Sequence, residues 1–191
     1  MVAPRRTGLA TAAALVELER FEVISGHLHE KASPSAEHGD AQGALTELLR
    51  SRFHRRPGGS RPGGWWILTE VEIEFETSDV YLPDLAGWRR EHVSERPSGR
   101  PIKLRPDWVC EILSPSTAAR DQVDKQRTFH RCGIGHYWMV DPDRELLVVQ
   151  RWQEGGYLVV LTAGRGDTVR AEPFDALDLR VGLLFGDDPD E

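Results

Sequence analysis

No stretch of this 191-residue chain approaches the ~20 consecutive apolar residues of a membrane-spanning helix, so no span is expected. Cysteine is scarce: Cys110 and Cys132 are the only two, and they form no C-x-x-C pair. That argues against a disulfide framework and for reduced, structural thiols in a cytoplasmic protein. Positive charge is also short, with 24 Lys+Arg against 31 Asp+Glu and a net charge of −7. This charge does not point to a general nucleic-acid binder, and any nucleic-acid surface must be local. No internal repeat occurs. His38, His54, His92 and His136 lack a metal-ligand spacing such as H-E-x-x-H, so surface or packing roles are expected for them. Arg5 and Arg6 precede an apolar Leu9–Val16, but Glu17 and Glu19 follow at once. A short surface helix fits that pattern better than a signal peptide.

What is present, 39% hydrophobic and 29% charged residues, is the composition of one soluble globular domain. Its core is expected over residues 20–186, with the N-terminal helix and the acidic tail from Gly186 peripheral. The organising stretch runs from Arg105 to Asp141. Trp108-Val109-Cys110-Glu111-Ile112-Leu113 reads as a strand buried on both faces. Ser114 to Thr117 offers N-cap candidates, and a helix is expected from about Ala118 to Cys132 with Gly133 past its end. Tyr137 to Val140 then reads as a second strand. Strand, helix, strand in this order is the parallel crossover unit. Upstream, Phe21–Ile24 and Leu28 read as a short hairpin about Gly26, and Glu37–Phe53 as a helix with Ala41, Ala44, Leu45, Leu48, Leu49 and Phe53 on one face. Trp65 to Phe75 alternates as one half-buried strand. Val80–Leu82 and Leu85–Trp88 flank Pro83-Asp84. Downstream, Leu146–Trp152 and Tyr157–Thr162 form a hairpin, and residues 173–184 close the fold.

Two carboxylates fall at strand positions: Asp84 after Pro83, and Glu111 inside the buried run, 27 positions later. On neighbouring strands they would lie side by side and repel, and one would stay protonated unless compensated. A hard divalent cation compensates both. Asp84, Glu111 and the backbone carbonyl of Ile112 would make a three-oxygen site for Mg²⁺ (or Mn²⁺), open to water and phosphate. The plainer readings are a Glu111 paired with a buried lysine, an Asp84 that only turns the chain, and a lysine on a solvated helix face.

Pro83-Asp84, then Glu111, then a lysine resembles the pattern of the PD-(D/E)xK nuclease superfamily. More narrowly, the chain resembles the Uma-type family of restriction-endonuclease-like proteins. FEVISG (21–26), SPSAEHGDAQ (33–42), LPDLAGWRRE (82–91), PDWVCEILSPSTAARDQVDKQ (106–126) and HYWMVDP (136–142) carry the likeness. The resemblance implies an α/β or α+β fold with a mixed sheet of the restriction-endonuclease type, flanked by helices. It implies Asp84 and Glu111 as metal-binding acids and Lys125 as the displaced catalytic lysine, since Leu113 stands where a lysine normally sits. Gln122, one turn before Lys125, and Asp107 are auxiliary candidates. His27 follows Gly26 where the family tends to carry Glu, which leaves Glu22 or Glu30 to substitute. The Gly/Pro/Arg segment with Arg55, Arg56 and Arg61 is the candidate phosphate contact. The implied activity is Mg²⁺-dependent endonucleolytic hydrolysis of DNA, by a homodimer if both strands are cut. A binding or regulatory module that keeps the fold without turnover is the alternative, and RNA a further substrate.

Overall fold

The computed structural model describes residues 10–11, 20–114 and 119–189, with backbone alone for residues 119–122. The expected N-terminal helix and the capping residues 115–117 lie outside the described residues.

The hairpin expected about Gly26 is present as β1 (Phe21–Ile24) and β2 (His27–Glu30), Gly26 taking a φ of 76°. The helix α1 (Ala36–Phe53) starts on Ser35, whose hydroxyl accepts from the His38 amide at 3.2 Å. Its Ala41, Leu45, Leu49 and Phe53 recur every fourth residue and are buried. The expected strand from Trp65 to Phe75 is two strands: β3 (Trp65–Thr69) and β4 (Ile73–Glu76). Glu70 adopts a φ of 47°, which breaks the extended run. Glu72, which the alternation would place on the solvent side, is buried, and its carboxylate is held by Arg100 at 2.7 Å. The apparent alternation therefore hides a change of sheet. The strands β5 (Asp79–Tyr81), β6 (Leu85–Arg89) and β7 (Trp108–Ile112) follow, then α2 (Ala119–Arg131), β8 (His136–Asp141), β9 (Leu146–Gln153) and β10 (Gly156–Gly164). The close of the chain carries β11 (Thr168–Val169), β12 (Leu179–Arg180) and a 3-10 helix over Val181–Phe185.

The central sheet has the order β10-β9-β8-β7-β6-β3, and a second sheet runs β2-β1-β5-β4. Only the β7–β8 pair of the central sheet is parallel, and α2 makes the connection between them. The sheet is therefore mixed, as expected. On one face Trp108, Cys110 and Ile112 pack with α1 and with Phe174, Leu177 and Leu184. On the other, Val109 and Tyr137 pack against Phe129 of α2 and against Ile24 and Tyr81 of the smaller sheet. Both faces of β7 are covered, which is why its sequence is a continuous apolar run. Gly87 of β6 is needed for closeness: a Cβ there would lie 3.0 Å from the Trp108 ring and 3.2 Å from that of Trp65. Cys110 and Cys132 are free thiols. Among the described residues no helix is long and apolar enough to cross a membrane.

Candidate active site

The antiparallel register of β6 and β7 pairs Leu85 with Cys110. One step further along each strand brings Asp84 beside Glu111. The two acids separated by 27 positions thus meet at one end of the sheet. Asp84 is fully buried, and its Oδ2 accepts the Ile112 amide at 2.6 Å. Ile112 so reaches the site through its N–H. Side chains alternate along β7, so Glu111 points away from Cys110 and toward α2. There Lys125 Nζ lies 3.2 Å from Glu111 Oε1 and 2.7 Å from Glu22 Oε1. Glu22 also accepts the Leu82 amide at 2.8 Å, which ties β1 to the segment before Asp84.

Three further groups converge that sequence reasoning did not select. Lys31 Nζ donates to Asp84 Oδ1 and to the Leu82 carbonyl, both at 2.7 Å. His38 Nε2 lies 3.2 Å from the same Asp84 Oδ1, and its Nδ1 is buried with no protein partner. Gln42 Nε2 donates to the Asp84 carbonyl at 3.1 Å. For His38 the expected role is surface or packing. The available signal was the spacing of His38 and Gln42, four apart on α1 and so on one face. A recess of about 90 Å³ is lined by Glu22, Lys31, His38, Asp84, Glu111 and Lys125 among others, room for an ion and several waters.

Other candidates lie elsewhere. Asp107 immediately precedes β7 at its opposite end, about 13 Å of extended chain from Glu111. Its carboxylate accepts the Arg89 amide at 2.7 Å and contacts His92 at 2.6 Å. It orders the strand start and does not join the acids. His27 is exposed in the hairpin, with Nδ1 3.0 Å from its neighbour Ser25's carbonyl. Glu22, not His27, stands at the recess. Gln122 lies on α2, and its side chain is not among those described. Arg55, Arg56 and Arg61 sit in the loop between α1 and β3, where the Gly64 amide donates to the Arg55 carbonyl and Arg90 to Gly64. Since Trp65 pairs with Arg89 and Thr69 with Leu85, that loop is at the far end of β6 from Asp84. The segment expected to contact phosphate is thus about 13 Å or more from the acids.

Charge explains how the cluster is held. For Asp84, burial is the largest influence and would raise its pKa; the His38 hydrogen bond and the Lys31 ammonium outweigh it and hold the carboxyl down at about 2. Glu111 goes the other way. Burial pushes it up to about 7, Lys125 opposes the rise, and Asp84 and Glu22 add to it. Lys125 stays an ammonium because Glu111 and Glu22 outweigh its burial. A carboxyl raised above its unfolded value prefers to fold protonated. The protein should therefore lose stability as pH rises from about 4.5 toward 7, by roughly 2–3 kcal/mol from this group. Glu111→Gln should remove that slope. Urea unfolding at pH 4.5 and 7.5 checks it: the variant's advantage must grow with pH, and a constant difference would refute the assignment.

Among the described residues no three His, Cys, Asp or Glu side chains are arranged to close a metal site. The donor set that is present, two neighbouring carboxylates of which burial holds one up toward neutrality, fits a hard divalent ion that keeps several waters. Asp84 and Glu111 would hold it.

A protein family described as "Putative restriction endonuclease" matches residues 12–182. No curated protein matches the chain. Among solved structures, a protein from Anabaena variabilis described as "a putative nuclease belonging to DUF820" is similar at 19% identity. The match covers 92% of this chain and 97% of that one, with a TM-score of 0.66. It shows a shared fold, the mixed α+β arrangement of sheets flanked by two helices. A DrdV–DNA complex is similar at 16% identity and a TM-score of 0.35, over 80% of this chain and 14% of that one.

Proposed function

From the premise that the chain belongs to the Uma2 family of restriction-endonuclease-like proteins, we propose that it is a divalent-metal-dependent endonuclease that hydrolyses DNA phosphodiester bonds. The observation that supports this most is the meeting of Asp84, Glu111 and Lys125 in one recess. Mg²⁺ or Mn²⁺ bound there would polarise the phosphoryl oxygen and make water a better nucleophile. Asp84, fully ionised near neutral pH, supplies a permanent anionic ligand. Glu111, pushed up to about 7 by burial, would give up its proton when a cation binds. Lys125 keeps its charge and, anchored by Glu22, is oriented to hold the attacking water against the phosphate. The water oxygen bonds to phosphorus and gives up a proton to solvent, the bond from phosphorus to the leaving sugar oxygen breaks, and that oxygen takes up a proton from solvent.

The test is nicking of supercoiled plasmid by the purified protein with Mg²⁺ or Mn²⁺, repeated with EDTA and with an RNA substrate. Cleavage that chelation stops supports the reading; protein that binds the ion but never cuts sinks it. That second result would favour a nuclease-fold binding or regulatory module without turnover. The observation on its side is that the acids already have protein partners: Lys31 and His38 on Asp84, Lys125 on Glu22 and Glu111.

A further inference from the structure

Among the described residues, Lys31 is the cation that occupies the Asp84 oxygen a metal ion would need. Asp84 Oδ1 accepts from Lys31 Nζ at 2.7 Å and faces His38 Nε2 at 3.2 Å, while Oδ2 takes the Ile112 amide at 2.6 Å. Each oxygen is engaged, and Oδ1 twice. A divalent ion sits about 2.1 Å from a carboxylate oxygen. Placed on Oδ1, it would stand within a few ångströms of the Lys31 ammonium and be strongly repelled. The other two partners are poorly placed to leave. The Ile112 amide belongs to the central strand β7, and His38 is fixed in the first full turn of α1. Lys125 is anchored on two carboxylates of its own. Lys31 instead follows β2, the end strand of the smaller sheet, and reaches in on a flexible stem with its side chain 12% exposed.

We propose that Lys31 is a tethered counter-cation: it neutralises Asp84 while no metal is bound, and a divalent ion must displace it, so that Lys31 sets the metal affinity of the site. This rests on the metal-dependent reading above. A lysine in this role keeps a buried acid paired in the resting protein and makes the empty site compete with the occupied one. Its removal falls on the metal-free state alone. The metal-free protein loses a partner of a buried carboxylate, while the metal-bound protein loses nothing.

The experiment is calorimetric titration with Mn²⁺ alone of the wild type, Lys31→Met and Asp84→Asn, each checked for fold by circular dichroism. Lys31→Met is expected to bind Mn²⁺ roughly tenfold to hundredfold more tightly, the equivalent of one ionic hydrogen bond no longer broken. It should also melt lower than the wild type without metal and approach it with saturating Mn²⁺. Asp84→Asn should not bind. If Lys31→Met does not fold, Lys31→Gln, which keeps a neutral donor for the Leu82 carbonyl, takes its place with the same expected direction. Wild type that binds while the Lys31 variant binds equally or more weakly overturns the inference and leaves the metal reading standing. No binding by either overturns both.

Discussion

Asp84→Asn should lower metal-dependent plasmid cleavage by roughly a hundredfold to a thousandfold, about 3–4 kcal/mol of barrier. Asparagine keeps the shape of the side chain and can still accept the Ile112 amide, now held at 2.6 Å. What it loses is the charge. Asp84 is held ionised down to a pH of about 2, against its own burial, because His38 and Lys31 both favour the anion. Glu111, the other acid of the pair, is pushed up to about 7 by its burial. On the proposed metal-dependent reading, a divalent ion would depend on Asp84 for its permanent negative partner. The comparison is made on initial nicking rates at saturating Mg²⁺, with circular dichroism confirming the fold. Asp84→Asn with wild-type rates would show that the acid is structural and would end the nuclease reading of this recess.

The second large effect is on stability. Lys125→Met is expected to destabilise the protein by about 3–5 kcal/mol, because a buried charge pair broken on one side leaves its partners unpaired in low dielectric. Lys125 is 5% exposed and serves Glu22 at 2.7 Å and Glu111 at 3.2 Å. Methionine has nearly the same volume and packs well, so the loss is electrostatic and not a cavity. Against a total stability of roughly 5–15 kcal/mol the change is severe. Urea unfolding at pH 7 measures it. Adding Glu22→Gln to Lys125→Met should recover part of the loss, since one orphaned carboxylate is then neutral. A single variant within 1 kcal/mol of wild type would mean that Lys125 is not the keystone of this ion network.

Local pattern was a sound guide wherever a residue's surroundings come from its own element. The apolar run Trp108–Ile112 announced a strand covered on both faces, and packing on both sides of β7 is what the fold contains. The i, i+4 rows of α1 announced its buried stripe. The same logic misread residues 65–76, because Glu70, Val71 and Glu72 preserve the alternation while the backbone leaves one sheet for another. Glu72 looks solvent-facing until Arg100, 28 residues away, is seen to cover it.

The sequence alone indicated most of the elements, the crossover through α2, and the pair of acids on neighbouring strands, since these depend on periodicity and on family likeness. It also singled out Lys125. Tertiary structure decided who shares the recess. Lys31 comes from the edge of a separate sheet, 53 residues from Asp84, and His38 and Gln42 from α1; Asp107 and the arginine loop are carried to the far end of the strands. The physical reason is that hydrophobic pattern sets which face of an element is buried, whereas the ends of strands and the reach of a lysine are set by how whole layers are stacked. Electrostatic partnership is read only there, because it acts across space without regard to distance along the chain.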